Sequence, residues 1–126
     1  MLGRIASTGV ALVLCSSLTH AQQGLIGTYE GQYLSSFQGT VDFPTFVTLV
    51  IARAENGKLA GKFSILRAVC RGEYTFEGAY KDNMLEMRTD DGSGTMGCGK
   101  QTIAVTVQGS RLVGKYANSD IEFSKK

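Results

Sequence analysis

Apolar and polar residues alternate with a period of two through most of this chain, and no stretch beyond residue 21 shows a helical period. The clearest case is "CRGEYTFEGAY". There Cys70, Gly72, Tyr74, Phe76, Gly78 and Tyr80 share one face, and Arg71, Glu73, Thr75 and Glu77 share the other. Such a segment buries one side of a pleated strand and cannot present the apolar stripe of a helix. Similar runs occur at "GTYEGQY", "FVTLVIARA", "KLAGKFSIL", "MLEMRT", "QTIAVTV", "RLVGKYA" and "IEFS". Turn-forming residues separate most of them: Asn56-Gly57, Lys81-Asp82-Asn83, Gln108-Gly109-Ser110 and Asn118-Ser119-Asp120. The pattern predicts an all-β fold of eight short antiparallel strands in an up-and-down meander.

A short repeat runs through the meander: apolar, any, Gly, any, aromatic. It spells Tyr29-Glu30-Gly31-Gln32-Tyr33, Leu59-Ala60-Gly61-Lys62-Phe63, Phe76-Glu77-Gly78-Ala79-Tyr80 and Leu112-Val113-Gly114-Lys115-Tyr116. Each glycine shares the inward face with two large residues. Glycine weakens a strand interior, so its recurrence at one relative position points to a geometric need. Strong coiling of the sheet into a small closed barrel supplies one, because an inward side chain there would crowd its neighbours. The alternative is a β-sandwich with a glycine-rich core; the repeat favours the barrel.

With its "LxGxY"-type strands and opening "GTY", the chain resembles the calycins, the avidins and lipocalins, whose barrels often begin G-x-W. The resemblance spans most of the chain beyond residue 21 and implies a fold only. Tyr29 stands where a lipocalin has tryptophan, and the chain has no tryptophan with which to line a biotin pocket of avidin type.

The N-terminus bears on compartment. "MLGR" supplies one positive charge, "IASTGVALVLCSSL" is apolar and small, and "THA" ends the stretch with small residues at Thr19 and Ala21. That is the layout of a secretory signal peptide (residues 1–21) cleaved after Ala21, which predicts export, to a bacterial periplasm or beyond the cell. The apolar run is too short to span a membrane. Lipid attachment at Cys15 is disfavoured by the bulk of Leu14, where lipoprotein signals carry a small residue.

Residues 22–126 then form one domain of 105 residues with a net charge of +1, since Arg4 departs with the leader. So small a charge gives nucleic acid or anionic lipid little to attract. Cys70 and Cys98 are the two cysteines of this segment, and an even pair in an exported chain is read as a disulfide. The only histidine, His20, also departs. Two isolated cysteines without histidine make a poor zinc site. Catalysis through Ser-His-Asp or Cys-His is excluded for the same reason. Glu73 and Glu77 share a strand face, but the outer one, with no concave pocket to tune a carboxylate pair. The expectation is a non-enzymatic protein with no cofactor and no metal.

One stretch, "GSGTMGCGKQT", imitates a phosphate loop. Gly92, Gly94 and Gly97 spell G-x-G-x-x-G, and Gly94, Gly99 and Lys100 spell G-x-x-x-x-G-K, with Gln101 where a Ser or Thr would hold Mg²⁺. A phosphate loop must open a helix, and "QTIAVTVQG" alternates like a strand. The adjacent Asp90 and Asp91 fall short of a calcium loop, which needs further spaced oxygen ligands.

Counting connections along the meander sorts the turns by end. "ENGK", "KDN" and "QGS" fall at one end; "SSFQGTVDFPT", "LRAV", "DDGSGTMGCGK" and "NSD" fall at the other. Tight turns at one end and long loops at the other suit a scaffold that carries a binding surface. The candidate binding rim comprises Phe37, Asp42, Phe43, Pro44, Arg67, Arg71, Arg88, Asp90, Asp91, Met96 and Lys100, with Cys70 and Cys98 stapling the glycine-rich loop to it. Apolar residues on loops with charges around them fit a protein partner, as for an exported enzyme inhibitor or immunity protein. The alternative is a carrier holding a small apolar ligand inside the barrel, which the bulk of the inward residues disfavours.

Overall fold

The computed structural model describes residues 24–35, 43–66, 70–93 and 99–126. They form eight antiparallel strands: β1 (Gly27–Ser35), β2 (Phe43–Glu55), β3 (Lys58–Ile65), β4 (Gly72–Lys81), β5 (Met84–Thr89), β6 (Thr102–Gln108), β7 (Arg111–Tyr116) and β8 (Ser119–Lys125). Each strand pairs with the next, and β8 returns to pair with β1 from Tyr29↔Lys125 to Tyr33↔Ile121. The sheet therefore closes into the expected barrel rather than a sandwich, and no strand is left with an open edge. Among the described residues there is no helix long and apolar enough to cross a membrane.

Two-residue turns join β2 to β3, β4 to β5 and β6 to β7, all at one end. At Asn56 (φ 54°) and Gly57 (φ 75°) both central residues are left-handed, which matches the twist of the flanking strands. The opposite end carries the connections 36–42, 66–71 and 90–101. The β7–β8 connection is shorter than its sequence implies. It is a tight turn at Ala117 and Asn118, with Ala117 at φ 52°, and Ser119 already belongs to β8.

β2 is the longest strand, at 13 residues. It takes in Phe43 and Pro44, which the sequence pattern assigns to a loop. Phe43 pairs with Ser35 and Pro44 with Leu34. Proline is tolerated because it is the second residue of a strand that overhangs β3 there and has only β1 beside it. Further on, the register with β3 shifts between Ile51 and Arg53. This bulge changes the phase, so Ile51 and Ala54 are both buried with two exposed residues between them.

The repeated glycines sit where strands pass closest. A methyl carbon added at Gly61 would lie 1.9 Å from the Val50 carbonyl oxygen on β2, and one at Gly114 would lie 2.0 Å from the Ala104 oxygen on β6. Gly31 and Gly78 face the same obstruction, at 2.3 Å from the carbonyl oxygens of Glu122 and Glu86. The crowding foreseen from the repeat comes from neighbouring backbone as much as from side chains.

The interior is filled. Leu49, Ile51, Phe63, Phe76, Met87, Ile103 and Phe123 are wholly buried. Phe63 of β3 and Tyr116 of β7, strands half the barrel apart in order, bring their rings to 5.3 Å between centroids. Phe63 also meets Tyr74 at 6.2 Å and Phe123 at 6.4 Å, so aromatic rings from β3, β4, β7 and β8 interlock across the axis. At the tight-turn end, Leu25 is buried ahead of β1. Its carbonyl accepts a hydrogen bond from the Tyr29 hydroxyl at 2.8 Å, and Lys125 Nζ donates to the Gly24 carbonyl at 2.6 Å.

Candidate functional site

The long-loop end has an inner layer of hydroxyl-bearing side chains. Tyr33, Thr45, Tyr74, Thr89 and Tyr116, from five different strands, are all buried there. Several of them hold the connections down. The Tyr74 hydroxyl donates to the carbonyl of Cys70 at 2.5 Å. Thr89 Oγ1 accepts from the backbone N–H of Gln101 at 2.9 Å, and the Thr89 N–H donates to the Gln101 carbonyl at 2.9 Å. The rings of Tyr33 and Tyr116 meet at a tilt, 5.0 Å between centroids. Burial raises the pKa of the Tyr116 hydroxyl above the ordinary tyrosine value, and the neighbouring Tyr33 and Tyr74 push it further. Burial raises Tyr33 as well, with Tyr74 adding, and raises Tyr74, with the carboxylate of Asp90 adding. This layer keeps its protons and serves as a neutral hydrogen-bonding floor for the loops.

The first part of the glycine-rich loop is built rather than loose. Asp90 donates its N–H to the Thr75 carbonyl at 2.9 Å, and its Oδ1 accepts from the N–H groups of Thr75 at 3.1 Å and Gly92 at 2.8 Å. Ser93 then bridges to Glu73 through a reciprocal pair of backbone bonds. Asp90 was expected on the binding surface, yet its carboxylate is occupied in shaping the loop. The segment leads into β6, a strand, so the helix that a phosphate loop requires does not follow Lys100.

Of the other expected rim residues, Arg71 and Lys100 are exposed at the long-loop end, flanking β4 and β6, and Asp91 is exposed on the loop. Arg88 lies within β5 and points outward, on the barrel wall opposite Glu77 and Thr102. Pro44 is exposed on the wall. Cys70 is partly buried two residues before β4 and packs against the core. Phe37, Asp42, Arg67, Met96 and Cys98 lie outside the described residues.

The structure adds an apolar surface that the rim assignment missed. Leu34, Phe46 and Leu66 are 59%, 60% and 67% exposed, all on the outer wall near the long loops. They belong together. Leu34 and Phe46 lie on the paired strands β1 and β2, two residues apart in register. Leu66 donates its N–H to the Phe46 carbonyl at 3.5 Å. Gln32 lies opposite Phe46, and Arg71 and Glu73 border a shallow groove with Ser64 and Leu66. Part of the signal was present in the sequence: Leu34 stands on the parity that β1 otherwise gives to Thr28, Glu30 and Gln32, and Leu66 follows Lys62 and Ser64 on theirs. The chain matches no family model, no curated protein and no solved structure.

Proposed function

We propose that this chain is an exported, non-enzymatic binding protein that engages a protein partner through the long-loop end of its barrel, in the manner of an enzyme inhibitor or immunity protein. The observation that carries this reading is the ring contact between Phe63 and Tyr116 across the barrel axis. A carrier of small apolar ligands needs space where those rings meet. The apolar residues left for a partner are on the outside, at Leu34, Phe46 and Leu66, with Arg71 beside Leu66. Large exposed apolar side chains grouped beside charged ones are the composition of a protein interface.

Several other features belong to the same proposal. Residues 1–21 act as a cleaved leader, which delivers the barrel to an oxidising compartment. Cys70 pairs with Cys98. Cys70 stands at the long-loop end, the end that also carries the connection between β5 and β6, which supports that pairing. The closed eight-strand barrel supports a calycin-like fold. The pinned loop from Asp90 to Ser93 supports a pre-organised surface, which spends little entropy on binding.

Native mass spectrometry on protein taken from the exported fraction of its own host tests the reading. A stoichiometric protein partner, lost in Arg71→Glu or Phe46→Ser variants of unchanged stability, is the expected result. A non-covalent small molecule retained by the barrel would overturn it in favour of a carrier. The same spectrum reads the disulfide, because the oxidised chain lacks the hydrogens of the thiol pair.

A further inference from the structure

The outer wall formed by β2, β1, β8 and β7 has a register that places its side chains in rows. Phe46 lies opposite Gln32, Gln32 opposite Glu122, and Glu122 opposite Val113. The next row toward the tight-turn end runs Thr48, Glu30, Ser124, Arg111. Two shallow grooves follow these rows and share Gln32 and Glu122. One runs past Phe46 over Gly31, and the other runs between Leu34 and Val113 over Gly114. Both are floored by glycines of the repeat. Three carboxylates line them, from Glu30, Asp120 and Glu122, and among the described residues no lysine or arginine does.

These carboxylates are not buried. Glu122 meets Arg111, Asp120 meets Lys115 and Glu30 meets Lys126, and every one of these side chains is about half exposed or more. Exposed pairs of this kind contribute about 0–1 kcal/mol each, so a competing cation displaces them at little cost. Directly opposed side chains in a sheet stand about 5 Å apart and diagonal ones about 7–8 Å. A cation held above Gln32 is therefore within reach of Glu122 and Glu30 together. Phe46 and Leu34 on one flank and Val113 on the other supply apolar walls for the residues next to it.

We infer that this double groove is a docking surface for a partner segment that presents a lysine or arginine between bulky apolar residues. The inference rests on the protein-binding reading above and adds the chemistry of what binds. It also moves part of the contact from the rim to the wall: β1 and β8 supply the charge, and Leu34 of β1, Phe46 of β2 and Val113 of β7 the apolar flanks.

The test uses the full-length processed chain, amide-resolved NMR and two blocked pentapeptides. One has the sequence Phe-Lys-Leu-Arg-Phe, and the other carries glutamate in place of its lysine and arginine. The basic peptide is expected to shift the amides of Gln32, Phe46, Glu122 and Ser124 in a saturable way, and the acidic peptide is expected to leave them unmoved. Phe46→Ser should weaken the basic peptide by about tenfold, as loss of an aromatic anchor does, and Glu122→Gln by up to about fivefold, the scale of an exposed ion pair. Both residues are exposed, so the variants keep the wild-type spectrum elsewhere. Equal shifts from both peptides, or no saturable shift at these amides, would overturn the inference. Shifts confined to Arg71, Arg88 and Lys100 would overturn it too, while leaving the rim reading intact.

Discussion

Replacing Gly61 by alanine isolates the cause of the glycine repeat. The new methyl carbon would stand 1.9 Å from the Val50 carbonyl oxygen and 2.9 Å from two carbons of the Phe76 ring. Side-chain carbons do not come closer than 3.0 Å to such atoms, so β2 and β3 must separate by roughly 1 Å at a point where they are laddered. Forcing a methyl into a packed site costs about 1–3 kcal/mol, and a loosened ladder bond about 1 kcal/mol more. Against this, alanine is favoured over glycine within a strand by about 0.5–1 kcal/mol. The net expectation is a loss of about 1–3.5 kcal/mol. Gly109→Ala is the comparison: Gly109 has open space around it but a φ of +65°, so only backbone strain of about 1–2 kcal/mol is incurred. Urea unfolding of both variants, with unchanged m-values, gives the two numbers. If Gly61→Ala were as stable as the native chain, or clearly less damaging than Gly109→Ala, close strand approach would not be the reason for the repeat.

Three further outcomes follow from the same structure. Burial raises the pKa of Tyr29, Tyr33, Tyr74 and Tyr116, so above about pH 10 the folded state holds protons that the unfolded chain releases. Stability should then be level below about pH 10 and fall above it, and the tyrosinate absorbance of these four residues should appear together with unfolding rather than before it. Leu25→Ala should cost about 2–3 kcal/mol and speed amide exchange at the start of β1, because Leu25 is buried against the tight-turn end. Replacing Cys70 and Cys98 together by alanine should cost roughly 3–4 kcal/mol in urea unfolding, the entropy of the loop that the proposed disulfide closes. Wild-type stability in that variant would refute the pairing.

Much of the fold was legible from alternation alone, because the period of two specifies which side of each strand is buried. Tyr29, Leu49, Phe63, Tyr74, Met87 and Phe123 all face inward as their parity requires. The boundaries of β2 were not legible. Phe43 and Pro44 resemble loop residues, and only pairing with Ser35 and Leu34 extends the strand through them. The bulge at Ala52 was equally hidden, since it appears only as a shift in register against β3. At the candidate site, Arg71 and Lys100 were placed at the correct end by counting turns. The loop-shaping role of the Asp90 carboxylate was not legible, because the donors to its Oδ1 are backbone N–H groups on β4 and on its own loop, which composition does not reveal.

The linear order of residues determined the strand count, the inward set, the tight end and the long-loop end, because alternation and turn chemistry are local properties of the backbone. Closure of β8 onto β1 and the contact of Phe63 with Tyr116 across the axis were decided only by the tertiary structure. So was the gathering of Leu34, Phe46 and Leu66 on one wall. Each of these depends on register between strands distant in sequence. A shift of one residue in any pairing would turn the same side chains to the opposite face.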